Sequence, residues 1–242
     1  SKINPSTGAL IGTYSLPTGA APYGIAFDRT SIWTANSGGN SVSKINPSTG
    51  AVIGTYALAA GSNPIAIVFD GSSIWTANYG TNSVTKINPG TGALISTYAL
   101  ASGSKPTGIA VSSWGNTTLI WTANSGTGAV TRINAATGVI EGTTTLPFAT
   151  YPQGIAFDGT YIWTGTALGE LTKITIGGTI VGNYKVPEVA VYALVLDQPG
   201  YSANVGNALD PKNYMWTANY GGDSVSKVDA LTGAVLGTYP VG

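Results

Sequence analysis

Ser31–Tyr56 reads SIWTANSGGNSVSKINPSTGAVIGTY, and its pieces recur from one end of the chain to the other. Ile32–Asn36 is a short apolar, β-branched run around a tryptophan, which predicts a strand. Ser37-Gly38-Gly39-Asn40 predicts a turn, because glycine and asparagine reach positive φ cheaply. Ser41–Asn46 alternates and carries Val42 and Ile45, a second strand. Asn46-Pro47-Ser48-Thr49-Gly50 predicts a hairpin loop, with proline presetting φ and Gly50 suited to a left-handed position. Ala51–Leu58 is a third strand. Ahead of all three, the apolar run Gly24–Asp28 ends in a turn at Asp28-Arg29-Thr30. The unit is four strands in tight succession.

That unit can be laid along the whole chain. Trp33, Trp75, Trp121, Trp163 and Trp216 are separated by 42, 46, 42 and 53 residues. A basic residue of the second hairpin recurs at Lys2, Lys44, Lys86, Arg132, Lys173 and Lys227. A four-stranded period near 42 residues predicts an all-β fold, a β-propeller, in which neighbouring blades cover each other's faces. Both faces are then apolar and strict alternation is blurred. No stripe of period 3.6 supports a helical solenoid, and a β-helix needs shorter coils.

The expected domain is single and spans 1–242. Residues 1–16 form the outer half of a blade, and full blades run over 24–58, 65–100, 108–146, 154–186 and 193–241. The third has a longer first loop, Ser112–Thr118, carrying Trp114. The fourth is the most divergent. The fifth carries an insertion, Gln198–Asn213, between its first two strands. A half-blade leaves apolar surface and a strand edge open. The expectation is therefore a six-bladed ring in which a sixth blade is completed from beyond Gly242 or by another chain. Seven blades in the intact protein is the alternative, and a closed five-blade ring a further one.

Composition narrows the function classes. Hydrophobic residues make up 43% of the 242, enough for a core, and 34 glycines suit a turn-rich fold. Ten basic and ten acidic residues balance to zero, so there is no electrostatic footprint for nucleic acid or an anionic membrane. No apolar run approaches the roughly 20 residues that cross a bilayer. Cysteine is absent, which removes disulfides and thiolate chemistry. The Ser/Thr/Asn/Gly-rich, charge-poor character points to a secreted or cell-surface protein.

The stretch WTANSGGNSVSKINPSTGAVIGTY, followed after a short loop by P-x-G-I-A-F-D-G, resembles the YVTN-type β-propeller repeats of bacterial and archaeal surface proteins. WTAN stands where those repeats read YVTN. NHL repeats and the virginiamycin B lyase family are more distantly similar. The YVTN resemblance implies a surface-exposed, mostly non-enzymatic role. The lyase resemblance implies a histidine-dependent, magnesium-assisted elimination, and no position here matches those histidines.

Several side-chain series are candidates for function. The tryptophans read as inter-blade packing, since large aromatics dominate cores. The basic series reads as a solvated edge, with stems on apolar surface and charges in water. Asp28, Asp70, Asp158 and Asp197 read as turn caps. The residue before each innermost strand, namely Tyr23, Ile65, Thr107, Gln153 and Tyr192, is expected at the mouth of a central channel, where propellers hold ligands. Asn36, Asn78, Asn124 and Asn219, with Tyr79 and Tyr220, are expected on that same face. Tyrosine beside asparagine offers a stacking plane and hydrogen-bonding groups to a sugar or a protein. On the opposite face, Trp114 and Tyr201 break the repeat and form a second candidate interface.

Histidine is absent, which removes imidazole bases and Ser-His-Asp chemistry. Glu170, Glu188 and Asp223 are scattered, and no dense acidic loop, phosphate loop or dinucleotide motif occurs. The expectation is a non-enzymatic binding or structural module for a protein or a glycan, with no catalytic residue, no metal and no cofactor. Strand donation at the incomplete blade is a further possible association. The competing expectations are a carboxylate or metal-assisted lyase or lactonase, and a repeating subunit of a surface layer, filament or virion.

Overall fold

The computed structural model describes residues 1–147, 151–187, 191–197 and 214–241. The chain divides into two compact units, Ser1–Leu100 and Ala101–Gly242.

The first unit opens with a two-stranded sheet, β1 (Lys2–Ile3) and β2 (Leu10–Gly12). Two four-stranded antiparallel sheets follow. Blade 1 holds β3 (Pro22–Phe27), β4 (Ile32–Asn36), β5 (Ser41–Ile45) and β6 (Val52–Ala57). Blade 2 holds β7 (Pro64–Phe69), β8 (Ile74–Asn78), β9 (Ser83–Ile87) and β10 (Leu94–Ala99). Strands pair in sequence order, as short connections dictate. The loops follow from residue type. Asn46 Oδ1 accepts the Ser48 and Thr49 N–H groups, and Gly50 sits at φ 73°.

The second unit holds three such sheets. Blade 3 is β11 (Pro106–Trp114), β12 (Thr117–Asn124), β13 (Ala129–Asn134) and β14 (Ile140–Thr145). Blade 4 is β15 (Pro152–Phe157), β16 (Tyr161–Thr166), β17 (Glu170–Thr175) and β18 (Ile180–Lys185). Blade 5 is β19 (Val191–Asp197), β20 (Tyr214–Asn219), β21 (Ser224–Asp229) and β22 (Val235–Pro240).

Within each unit, the innermost strand of one blade lies across the two inner strands of the blade before it: β7 on β3 and β4, β15 on β11 and β12, β19 on β15 and β16. The second strand of each blade so covered is therefore buried, β4 from Trp33 to Asn36 and β16 from Ile162 to Thr166. The outermost strands alternate half-buried and exposed positions, as a single covered face requires. Trp33, Trp75, Trp121 and Trp163 are fully buried. In blade 1, Trp33, Ala35 and Val42 form one cluster with Leu58, Ile67 and Ile74, so blade 2 covers the indole.

Two expectations are corrected. Trp114 is not in a long loop: β11 and β12 run on until Trp114 pairs with Thr117, with Gly115 at φ 57° in the connection. The β-branched Thr117 and Thr118 extend the ladder where a loop was expected. Within the basic series, Lys44 and Lys173 are not a solvated edge either, while Lys2 is exposed. Lys2, Lys44 and Lys173 each reach the hairpin loop of the next blade, donating to the Pro47, Pro89 and Ala230 carbonyls at 3.0, 2.6 and 2.8 Å. Lys173 is buried.

Candidate functional site

The five positions singled out before the innermost strands share one backbone feature. Pro22 pairs with Asn36 and Gly24 with Ala35, so Tyr23 is the extra residue of a β-bulge. Ile65, Thr107, Gln153 and Tyr192 occupy the same bulge in their blades. A bulge turns its residue out of the ladder and re-aims the side chain. Thr107 uses this to tie blades together, donating to the Ala123 and Pro152 carbonyls at 3.1 and 2.8 Å. Ile65, Thr107 and Gln153 are half-buried, whereas Tyr23 and Tyr192 are exposed.

The asparagines lie elsewhere than expected. Asn36 is fully buried. Its Oδ1 accepts the Thr34 hydroxyl at 2.9 Å, and its Nδ2 donates to Ser41 and Ser43. Ser43 in turn meets Thr55 on the outermost strand. Asn78, Asn124 and Asn219 repeat this arrangement inside their own sheets. Every amide is committed to a polar ladder that spans the blade, so these four residues are blade structure. An amide in a buried site must find all its partners within the protein. Tyr79 is half-buried, and its backbone N–H donates to the Asn63 carbonyl. Tyr201 and the insertion Gln198–Asn213 lie outside the described residues, as does the side chain of Asp197.

Blade 5 brings two of the predicted residues together. The rings of Tyr192 and Tyr220 lie 5.1 Å apart, inclined at 53°, and are 49% and 72% exposed. They border a cleft of about 310 Å³ that also takes in Asp223, Ser224, Val225 and Val241. The bulge presents Tyr192 and the next turn presents Tyr220. Sequence reasoning passed over Asp223 as a partner for them. It occupies the positive-φ position filled by Asn40 and Asn82 in blades 1 and 2, at φ 43°. A charged residue where the repeat has an amide was the available signal.

On another part of the second unit, Trp114 is 65% exposed and shares a cleft of about 380 Å³ with Thr160, Tyr161, Thr175 and Ile176. Blade 3 departs from the repeat here too, since Ser112 Oγ, not a carboxylate, accepts the Trp121 indole N–H. Among the described residues no three acidic side chains converge on a point that could hold a metal ion, and no helix is long and apolar enough to cross a membrane.

The chain is similar to a streptogramin B lyase at 19% identity, covering 94% of this chain and 72% of that one, with a TM-score of 0.74. It is similar to the virginiamycin B lyase of Staphylococcus aureus at 19% identity, covering 93% and 86%, with a TM-score of 0.57. Hydrazine synthase of Kuenenia stuttgartiensis matches at 20% identity, covering 92% and 70%, with a TM-score of 0.64. This chain is a β-propeller repeat protein. The five four-stranded sheets are its blades and β1–β2 a half-blade. No protein-family model matches the chain, and no curated protein does.

These likenesses overturn the expectation of a chain without enzymatic activity, because two of the three proteins just compared are lyases by name. The expectation rested on the missing histidine and cysteine. Their absence removes particular chemistries, while the fold itself accommodates both catalysis and binding.

Proposed function

We propose that this β-propeller binds a carbohydrate at the Tyr192–Tyr220 cleft of blade 5. The observation that carries the reading is the exposed tyrosine pair, 5.1 Å between centroids, beside the Asp223 carboxylate. Two inclined aromatic rings give an apolar plane for the C–H face of a sugar, and phenol and carboxylate oxygens serve its hydroxyls. The zero net charge disfavours a polyanionic ligand as the primary partner. The polar, charge-poor composition supports display outside the cell. The test is a glycan array followed by titration calorimetry on the best neutral glycan. Tyr192→Ala and Tyr220→Ala should each weaken binding at least tenfold, and Asp223→Asn should weaken it less. Unchanged affinity in both tyrosine variants sinks the reading.

A second reading is favoured by the structural likenesses: cleavage of a streptogramin B-type substrate. One matched structure is a catalytically inactive virginiamycin B lyase, with a histidine replaced by alanine, holding quinupristin. These 242 residues contain no histidine. The base would have to be a carboxylate or a phenolate, and Asp223 is the candidate in the cleft. Incubation with quinupristin, followed by mass spectrometry for an opened product, decides this reading. An unaltered substrate after prolonged incubation removes it.

A further inference from the structure

The hairpin that joins the first two strands of blade 3 projects where its counterparts stop. In blades 1 and 2 this ladder ends at the pairs Phe27–Ile32 and Phe69–Ile74. In blade 3 it passes the equivalent pair, Val111–Ile120, and adds Ser112–Leu119, Ser113–Thr118 and Trp114–Thr117. These added pairs carry the tip about 10 Å further along the strand direction. The tip reads Trp114-Gly115-Asn116-Thr117-Thr118, exposed throughout except for the half-buried Thr118. Chain neighbours aside, a Cβ placed on Gly115 would meet no atom within 4 Å, so the tip stands in open space.

Asn116 differs from the asparagines of the repeat. Asn36, Asn78, Asn124 and Asn219 hold the polar ladders inside the sheets, while Asn46, Asn88 and Asn134 fold the outer hairpin loops through Oδ1. Among the described residues no hydrogen bond reaches the Asn116 carboxamide. The bend does not require an asparagine either. Gly115, at φ 57°, takes the positive φ of the two-residue connection, as glycine does at the first central position of hairpin turns. Asn116 is also the one asparagine of the 242 residues with serine or threonine two positions on and no proline between. Asn-x-Ser/Thr is the acceptor motif of N-glycosylation, and it belongs on exposed loops.

We propose that Asn116 is an N-glycosylation site and that Trp114 seats the first sugar. In the transfer, Asn116 Nδ2 bonds to the anomeric carbon of a lipid-phosphate-linked oligosaccharide. The bond from that carbon to the phosphate oxygen breaks, the lipid phosphate leaves with the electron pair, and the carboxamide loses one proton to solvent. Thr118, two residues on, supplies the hydroxyl that completes the acceptor motif. Trp114, two residues before, is 65% exposed and offers its indole plane to the C–H face of the sugar. Thr160, Tyr161 and Ile176 border the same cleft of about 380 Å³ and continue the seat onto blade 4. Trp33, Trp75, Trp121 and Trp163 are fully buried between strands, so inter-blade packing does not account for this sixth indole. The inference rests on the display outside the cell proposed above, where such acceptor loops are glycosylated. It does not depend on the Tyr192–Tyr220 cleft.

The test is peptide mapping of the chain recovered from the outer surface of its own cells. Trypsin releases residues 87–132 as one peptide, since Lys105 precedes a proline. Electron-transfer fragmentation should place a glycan mass on Asn116. Asn116→Gln and Thr118→Val should each abolish it, Thr118→Ser should retain it, and Thr117→Val should leave it unchanged. The glycosylated protein should melt about 2 °C above Asn116→Gln, the shift expected of one aromatic contact in a chain of this size. In a Trp114→Ala background that gap should close, and a gap that persists overturns the seat assigned to Trp114. A bare Asn116 in surface-recovered protein overturns the proposal, as does a glycan mass found on Thr117 or Thr118 instead. Protein found only inside the cells overturns it together with the display outside the cell. Calorimetry on the Tyr192 and Tyr220 variants is untouched by either result, so the two readings fail separately.

Discussion

The Trp33 indole donates its N–H to Asp28 Oδ2 at 2.7 Å, while Asp28 Oδ1 accepts the Thr30 and Ser31 N–H groups. One carboxylate thus folds the turn and satisfies the single polar atom of a ring buried between blades. The same pairing joins Trp75 to Asp70 and Trp163 to Asp158. It explains how a turn residue and a core residue, five positions apart, come to repeat together.

Asp28→Asn should cost about 1–3 kcal/mol at neutral pH, the range for breaking hydrogen bonds to a buried charged group. Burial pushes the Asp28 carboxyl up, but hydrogen bonds from Thr30, Trp33 and Ser31 outweigh it and hold it below its ordinary 3.8. Its stabilisation is therefore complete above 3.8 and is lost as pH falls through the lower folded value. Urea unfolding should show the gap between wild type and variant narrowing in acid. A gap independent of pH would mean that the charge contributes nothing.

Lys173 is expected to behave in the opposite sense. Burial pushes its ammonium below the ordinary 10.5, and the charges of Asp158 and Asp229 oppose this only in part. Between the lowered folded value and 10.5 the unfolded chain binds more protons, so stability rises with pH. The stability of wild type relative to Lys173→Met should increase across that window and level off above it. At pH 7 the variant should still lose about 1–2 kcal/mol, because the Ala230 and Leu231 carbonyls lose their donor. A relative stability that falls as pH rises toward 10.5 would contradict the assignment.

The blades were legible in the sequence because tryptophan, basic residue and loop glycine recur with one period, and only mutual burial explains five such copies. The asparagines were misplaced for a local reason. An Asn before a glycine-rich turn has the same neighbours whether its amide faces a ligand or the sheet interior. The deciding pattern runs across strands: Thr34 and Asn36 on β4, Ser41 and Ser43 on β5, Thr55 on β6, all joined in one chain of hydrogen bonds. Alternate small hydroxyls on one face of three successive strands were the available signal. The lysines were misread because their acceptors are carbonyls about 45 residues away, on another blade. Carbonyls leave no mark in side-chain identity.

Asn36→Ala should be among the most damaging single changes in blade 1. It strips the Thr34, Ser41 and Ser43 hydroxyls of a shared partner inside the sheet. A loss of about 2–4 kcal/mol is expected, more than one hydrogen bond is worth, because several buried groups are orphaned together. Asn36→Asp keeps an acceptor for Thr34 but removes the donor, and should fall between the two. Thermal unfolding of the three proteins checks the order.

Tyr56 and Gly92 give the sharpest test of how consecutive blades lock. The Tyr56 ring occupies the space that a Cβ on Gly92 would need, and Gly92 has a φ of 75°. Gly92→Ala therefore meets two penalties: left-handed backbone strain of about 1–2 kcal/mol, and displacement of a ring that also stacks on Trp33. The alanine variant should lose about 2–4 kcal/mol in all, more than the strain alone supplies. In a Tyr56→Ala background the steric part vanishes, and the same substitution should cost only the strain. A double-mutant cycle by urea denaturation measures the difference as a coupling energy of at least about 1 kcal/mol. Additive effects would show that the ring moves aside freely and that this contact does not hold blade 1 to blade 2.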